Sequence, residues 1–564
     1  MTSRTGRGAL VATVATVLLA PLLAGRGTAA TPPPDHARVV RHAVRASGPA
    51  LSVDVGSGRH RISPDIYGVN FAGRSFARRT HLPVDRWGGN SAETYNWKIR
   101  GSNHGNDWYF ENFPDCWDPA FSYCQAKGSH RYSAVDAQIG QDRATGTRTL
   151  LTLPLDGRVA DRVSYRASNT NPCSFPAGRY DPQDDHDPNH SVCGNGRRGG
   201  QFVAHPDPSI AGRRAGSGFD AGWVSHLVDK YGAARAGGVG IYELGNEPGL
   251  WDETHHDFHH RPVGYDELWS KSLAAAQAVK RHDPTAAVLG PAAWGWPNYF
   301  CSSVDLRTLG TCDAHSPDRA AHGGAALSAW YLDRFAAAQR KSGTRLLDYF
   351  DLHYYPQGSY QPATDVTRSL WDPHYRDPSW IDSVIRLLPR MHAWVRRDYP
   401  GTKLSLSEYN LGLGVTSSPA VQNVIEADAL GIFGRQRLSL ATFWPESSSP
   451  VPGPAFAMYR NYDGRHHTFG DVGVRATSSR QRRLAVYAAQ HGARGTVTVL
   501  VVNKTGHALR SRLTLRHFRA RAHAATYAYV GHGIQRRHAT RVWSGGFTRT
   551  YPADSISLVV LAPR

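Results

Sequence analysis

Past residue 30 no stretch of this sequence reaches the roughly 20 continuous apolar residues that a membrane-spanning helix requires, so no membrane partner is expected for the mature chain. None of the six cysteines forms a C-x-x-C hook, which makes zinc the weaker reading of Cys116, Cys124, Cys173, Cys193, Cys301 and Cys312. The formal charge of +19 comes with no recognisable nucleic-acid reader, and its arginines read as scattered. Nucleic acid is therefore not expected as a partner. The excess reads as a solvated surface, with salt-sensitive adhesion to acidic wall polymers as the second reading. Charged residues make up only 20% against 40% apolar, which excludes wholesale disorder and leaves a length of 564 residues ample for two packed units.

The first thirty residues carry Arg4 and Arg7, an apolar run from Ala9 to about Gly25, and the small-residue site Thr28-Ala29-Ala30, the pattern of a cleaved secretory signal. An exported, extracellular protein is expected, and export favours disulfides. Six cysteines allow 15 connectivities, so the sequence leaves the pairing open, although each neighbour pair would close a short loop.

Two strand-like runs each deliver a glutamate at the C-terminal end: Glu247 within Tyr242-Glu243-Leu244-Gly245-Asn246-Glu247-Pro248, and Glu408 within Leu404-Ser405-Leu406-Ser407-Glu408-Tyr409-Asn410. Cleaving a glycosidic bond needs two carboxyl groups of opposite duty, one holding a proton and one ionised. The bland alternative is two ordinary carboxylates at strand ends. Short β-rich runs alternate with amphipathic segments, giving eight strand candidates that end near Asn70, Gly88, Pro154, Glu247, Pro291, Tyr355, Glu408 and Trp444. Helix candidates span 221–234, 265–281, 325–341, 380–398 and 421–433. The count fits an α/β fold with a (β/α)8 TIM barrel, whose site forms at the C-terminal strand ends. Glu247 and Glu408 then face each other from strands four and seven. Beyond about Pro454 the helical pattern gives way to alternating runs that read as an additional β-sandwich domain, to which Leu51–Val55 lends a strand. The expected layout is a signal over 1–30, a Pro-rich N-terminus and joining strand over 31–60, the barrel over 61–453 and the sandwich over 454–564.

These motifs, in order, carry a resemblance over almost the whole mature length. They are Arg86-Trp87-Gly88-Gly89-Asn90 with Tyr95-Asn96-Trp97, then Asn246-Glu247-Pro248 with Trp251, then Trp294-Gly295-Trp296. His353-Tyr354-Tyr355, Trp371-Asp372-Pro373, Glu408-Tyr409-Asn410 and Tyr459-Arg460-Asn461-Tyr462-Asp463-Gly464 follow. The chain resembles glycoside hydrolase family 44, endo-acting β-1,4-glucanases and xyloglucanases with a barrel and a β-sandwich. The resemblance implies Glu247 as general acid/base, Glu408 as nucleophile and retention of configuration, with β-glucan as the partner of a monomer and no cofactor required.

Barrel geometry aims Arg86, with Tyr355 or His353, at the nucleophile, Arg86 having a structural ion pair as its alternative. Asn246 resembles the asparagine that bonds the sugar 2-hydroxyl. Trp87, Trp97, Trp251, Trp294, Trp296, Trp371 and Trp444 are candidate stacking platforms, about half of them core, with Trp444 preferred beneath the cleaved sugar. Asn90 and Tyr409 complete the expected substrate contacts. Two departures from the family pattern put subsite preference in question: Leu411 stands where tryptophan is common, and Gly245 where aspartate is common. Two metal readings stay beside their alternatives: a structural Ca²⁺ or a solvated loop at Asp181-Pro182-Gln183-Asp184-Asp185-His186-Asp187, and a metal cluster or an exposed loop at 255–260. The rival activities are β-mannanase or xylanase on the same barrel, and a polysaccharide-binding protein without turnover.

Overall fold

The computed structural model describes residues 47–115, 133–164, 170–310 and 312–564. The expected leader, Cys116 and Cys124 lie outside the described residues. Eight strands close a parallel barrel in chain order: Gly68–Asn70, Val84–Trp87, Arg148–Leu153, Ile241–Leu244, Ala287–Ala293, Tyr349–Tyr354, Lys403–Tyr409 and Leu440–Phe443. These are the eight strands expected from the sequence. Their lower interior is filled by Val84, Leu150, Ile241, Leu289, Tyr349 and Leu440, a packed layer that directs the open end toward the C-terminal strand ends.

Four of the five expected helices lie close to their expected spans, at Ser217–Tyr231, Tyr265–His282, Leu327–Ser342 and Pro419–Arg435. The fifth begins at Leu387, not at 380. Residues 380–386 are loop, which frees Trp380 for the barrel mouth. Other helices lie outside those five spans, Arg74–Thr80 and Ala134–Thr145 among them, and Gly453–Arg460 continues the barrel past the point where the sequence pattern suggested helices end. Its short apolar stripe, Ala455, Phe456, Met458 and Tyr459, is buried, but eight residues give too few turns for periodicity to declare itself.

The sandwich pairs a four-stranded sheet, in the order Arg475–Ser478, Leu51–Asp54, Leu509–Arg516 and Gly546–Tyr551, with a seven-stranded one. Leu51–Asp54 joins it as expected, antiparallel to 475–478 and parallel to 509–516. The central strands Leu484–Gln490 and Val497–Asn503 are buried at every residue. They are covered on one face by the smaller sheet and on the other by the barrel helix Pro419–Arg435, which explains their near-continuous apolar runs. In that helix every residue from Gln422 to Gly434 is buried. Gly431 allows the approach, because a Cβ there would sit 2.4 Å from the Tyr487 ring. Among the described residues two disulfides, Cys173–Cys193 and Cys301–Cys312, join sequence neighbours in barrel loops.

Candidate active site

Glu243 is the last but one residue of barrel strand four and points inward with no exposed surface. The chain then turns through Gly245, at φ +74°, where a Cβ would sit 3.1 Å from the Glu93 carboxylate. This contact accounts for glycine at the position. The buried Glu93 carboxylate accepts the backbone N–H of Asp156 and of Asn246, each at 2.5 Å, tying the ends of strands three and four together. Glu247 follows in the left-handed region at φ 46°, ψ 54°, with its N–H donating to Ala292 O at 3.2 Å. A non-glycine residue there stores strain of about 1–3 kcal/mol, held by the surrounding bonds.

Arg86, fully buried on strand two, organises the floor. Its Nε donates to Glu243 Oε2 at 2.8 Å, Nη1 to Glu408 Oε1 at 2.7 Å and to Asn70 Oδ1 at 3.0 Å, and Nη2 to Asn246 Oδ1 at 2.9 Å. The alternative of a structural ion pair and the role of holding the expected nucleophile are thus both realised, on different nitrogens. Burial opposes the charge of Arg86, and Glu243 and Glu408 outweigh it, raising its pKa. Burial likewise opposes ionisation of Glu243, and Arg86 with His353 overcomes it, holding this carboxyl down to about 2. Tyr355 Oη donates to Glu408 Oε2 at 2.9 Å, so Glu408 has a donor on each oxygen.

His353 bridges the two glutamates. Nδ1 lies 2.8 Å from Glu247 Oε1 and 3.6 Å from Glu408 Oε2, while Nε2 lies 3.1 Å from Ser407 Oγ. Ser407 Oγ already donates to Asp351 Oδ2 at 2.5 Å, so it accepts from His353, and Nε2 carries a hydrogen. One further proton is then shared along the Nδ1 to Oε1 contact. Burial alone would lower the pKa of His353, but the charge of Glu408 with the nearby Glu243 and Glu247 carboxyl groups pushes it up to about 10. Burial also raises Glu247; the bond to His353 opposes this and the charge of Glu408 adds to it. The two groups titrate as a pair that keeps its shared proton through neutral pH. Oxygens of Glu247 and Glu408 and a His353 nitrogen all lie within 4.8 Å of one another.

A cleft of about 630 Å³ opens above these groups, lined by Asn90, Asn246, Glu247, Tyr355, Glu408, Trp294 and Trp444 from the sequence-derived set. Asn90 accepts from Asn246 Nδ2 at 3.2 Å and donates to Asp107 Oδ2 at 3.0 Å. Trp294 lies parallel to Trp380, with ring centroids 5.9 Å apart and planes 14° apart. Trp444 is steered by its Nε1 bond to Glu446 Oε1 at 2.9 Å.

The other expected platforms are elsewhere. Trp87 is buried edge-on against Tyr95 and Trp223. Trp97 stacks on His226 of the outer helix, 5.0 Å away. Trp251 is buried and donates to Asn246 O at 2.9 Å, supporting the asparagine from behind. Trp296 packs on Phe300, Trp371 lies under Arg435 at 4.8 Å, and Tyr409 is buried with its hydroxyl on Glu426 Oε1 at 2.7 Å. In each case the side chain belongs to the layer between barrel and helices, where aromatics supply volume. Leu411 is fully buried too, and Leu413 is the leucine in the cleft lining.

Sequence reasoning missed Glu243, Asn70, Glu93 and Ser407 behind the glutamates, and Trp380, Gln357 and Glu446 at the rim. The available signal was proximity along the strand: Glu243 stands four residues before Glu247 and Ser407 immediately before Glu408. The 255–260 segment is not an exposed loop: His255 and Asp257 are fully buried, His256 bonds Asp252 O and Val203 O, and His259 bonds Glu267. In the acidic stretch, Asp181 meets His186, Asp184 accepts from Gly199 and Gly200, Asp185 from Tyr109, and Asp187 from Trp108 and Asn189. These carboxylates thus turn to separate protein donors. Among the described residues the three clusters with metal-ligand spacing are Glu111/His190/Cys193, whose sulfur is in a disulfide, and two that share His353 with the glutamates just described. A wider basin of about 950 Å³ at the opposite barrel end has Asp65 as its single acid and offers no carboxyl pair.

The family model for glycoside hydrolase family 44 matches residues 101–358. CelM2, a bifunctional glucanase-xylanase from a metagenome library, is 33% identical and superposes with a TM-score of 0.84 over 92% of this chain and 99% of its own. The chain belongs to glycoside hydrolase family 44. A family 44 xyloglucanase of Paenibacillus polymyxa, solved with xyloglucan, is 28% identical with a TM-score of 0.74 over 92% of this chain and all of that one. Endoglucanase A of Paenibacillus lautus is 29% identical over 476 residues, 79% of this chain. The chain spans 62% of the length of that curated relative and 33% of the β-mannanase/endoglucanase A of Caldicellulosiruptor saccharolyticus. As a family 44 member it carries its paired glutamates on strands four and seven of a barrel backed by a β-sandwich.

Proposed function

We propose that this chain is a secreted retaining endo-β-1,4-glucanase that hydrolyses amorphous β-glucans and xyloglucan by double displacement. The observation that carries the reading is the approach of Glu247 and Glu408 oxygens to within 4.8 Å beneath an aromatic cleft. Retaining enzymes hold their carboxyl groups about 5–5.5 Å apart, whereas inverting ones leave about 6.5–9.5 Å for a water. In the first step a Glu408 oxygen attacks the anomeric carbon while the proton of the Glu247–His353 pair passes from Glu247 Oε1 to the departing sugar oxygen. In the second, Glu247 takes a proton from water, which attacks the same carbon and releases Glu408. Arg86 and Tyr355 each donate to one oxygen of the nucleophile and aim it, and Asn246 is placed for the sugar 2-hydroxyl, a bond that strengthens as positive charge develops.

Export is supported by the N-terminal sequence pattern and by the two disulfides. No helix among the described residues is long and apolar enough to cross a membrane. A monomer suffices, since one chain supplies every group of the site. A structural Ca²⁺ at 181–187 remains a proposal, tested by metal analysis of the purified protein: a stoichiometric Ca²⁺ supports it, and a metal-free sample with unchanged stability discards it.

The test of function is reducing-sugar release from carboxymethylcellulose and xyloglucan, with wild type beside Glu247→Gln and Glu408→Gln. Activity that disappears in both folded variants supports the reading. Because relatives carry xylanase and mannanase in their names, xylan and mannan belong in the same assay, and a clear preference for either overturns the glucanase assignment. Binding without turnover on all four overturns the enzyme itself.

A further inference from the structure

The charge of the chain is not spread evenly. Over residues 465–564, 17 lysines and arginines stand against Asp471 and Asp554 alone, leaving +15 of the overall +19 in the sandwich. Reading the arginines as scattered overlooked this, because the arginines are indeed dispersed and it is the acids that are missing. Nothing in the glycosidic site uses this excess.

Part of it converges on two adjoining hollows of the sandwich, of about 580 and 420 Å³, which share Phe518 and Arg519 in their walls. The larger contains Trp543, 43% exposed, and Arg564; the smaller contains Arg494 and Arg59. Trp543 is presented rigidly, since its backbone exchanges hydrogen bonds of 3.0 and 3.2 Å with Gly546 in a tight hairpin. Arg519 and Arg564 are brought side by side by backbone pairing: Arg564 N–H donates to Arg519 O at 2.9 Å, and Arg521 N–H to Ala562 O at 3.0 Å. Arg494, Arg519 and Arg564 are exposed, and among the described residues no ion pair holds them. Neither hollow has a carboxylate side chain in its wall.

We propose that this double hollow is a second carbohydrate-binding site, selective for polysaccharides that carry uronic acid. An exposed indole offers the flat apolar surface on which a pyranose ring stacks. Guanidinium groups in the walls of the same hollows suit carboxylates bidentately, which neutral glucans lack. The two hollows together accommodate more than one sugar of a chain, so successive carboxylates meet Arg564, Arg519 and Arg494 in turn. The site lies on the sandwich, away from the barrel mouth, and tethers the protein to an acidic matrix while the barrel cleft stays free.

The test is calorimetric titration of the full chain with polygalacturonate, with its fully methyl-esterified form, and with inorganic polyphosphate, at about 0.1 M salt, where weak surface attraction is screened. Polygalacturonate binds, its esterified form binds at least about tenfold more weakly, and polyphosphate does not match it. Trp543→Ala weakens binding by about tenfold or more, and the Arg519→Gln/Arg564→Gln double variant weakens it and flattens its salt dependence, both with an unchanged unfolding midpoint. Absence of polygalacturonate binding, equal binding of polyphosphate, or indifference to Trp543→Ala overturns the proposal. The readout is binding and does not depend on hydrolysis, so it stands or falls separately from the glucanase reading. Should Trp543→Ala lower the unfolding midpoint, Trp543→Phe keeps the test open by retaining a smaller stacking surface, and intermediate affinity is then expected.

Discussion

The buried charges beneath the barrel mouth and those at the seam between barrel and sandwich are built to opposite ends. At the seam, Lys504 Nζ lies 2.7 Å from Asp428 Oδ2, with both side chains 1% exposed. Asp428 also accepts from Thr367 Oγ1 and Tyr487 Oη, each at 2.6 Å. One cation meets one anion, and every oxygen has a donor. Beneath the mouth, Arg86 and His353 face Glu243, Glu247 and Glu408, with Asp351 close by at 4.0 Å from His353 Nε2. Here the carboxyl groups outnumber the cations, so one of them must keep a proton. A balanced pair fixes structure, whereas an unbalanced one stores the proton that the chemistry spends.

The comparison breaks most severely if the mouth turns out to be structural. Glu408→Gln removes the attacking oxygen, and kcat on xyloglucan should fall at least about 10³-fold while the unfolding midpoint holds or rises, because a neutral amide relieves the excess of negative charge. A large loss of stability with residual activity would mean the group serves packing. At the seam the expectation reverses: Lys504→Met leaves Asp428 buried and unpaired, costing about 3–5 kcal/mol of stability, with kcat per folded molecule unchanged. An Asp428→Leu/Lys504→Met double variant should recover most of that loss, which denaturant unfolding followed at both barrel and sandwich tryptophans would report.

A finer probe is the pH profile. The shared proton of the Glu247–His353 pair is lost only as pH rises through a value held up by His353, whose own pKa is raised to about 10. His353→Asn leaves Glu247 to hold the proton alone. Glu247 stays above the ordinary carboxyl value through burial, yet below the pair. The alkaline limb of kcat/KM should therefore move to lower pH, with the acid limb little changed. A limb that stays in place would mean that Glu247 holds its proton without the histidine.

The barrel was legible because its strands are buried on both faces and its helices run long enough for periodicity to count. The paired glutamates were legible because each closes a strand in a spacing tied to the next motif. Glu243 was not, although it sits four residues before Glu247, since a carboxylate that only braces an arginine leaves no pattern of its own. The tryptophans divide on the same ground: Trp87 ends strand two of the barrel and Trp444 follows strand eight, and only the packing of Tyr95 and Trp223 against the first tells core from cleft. In the sandwich, Ile534–Arg541 escaped notice because it is an exposed edge strand, rich in arginine, in which a polar sequence replaces alternation. Trp380 escaped for the opposite reason. An apolar residue before a helical run reads as the first turn, whereas here the run begins seven residues later and Trp380 is left 48% exposed over the cleft.

That loop position sets the smallest effect expected. Trp380 is held by its Nε1 bond to Tyr355 O at 3.2 Å and lies parallel to Trp294 at the cleft rim, where the proposed function gives it a sugar to stack on and no part in the bond that breaks. A contact made equally in ground and transition states changes KM and leaves kcat alone. Trp380→Ala should raise KM on xyloglucan by about five- to tenfold, the equivalent of roughly 1–1.4 kcal/mol of lost stacking, with kcat within about twofold of wild type. If kcat falls instead, the bond to Tyr355 O is transmitting position to the hydroxyl that holds Glu408, and the aromatic rim belongs with the charged centre and not with the binding surface.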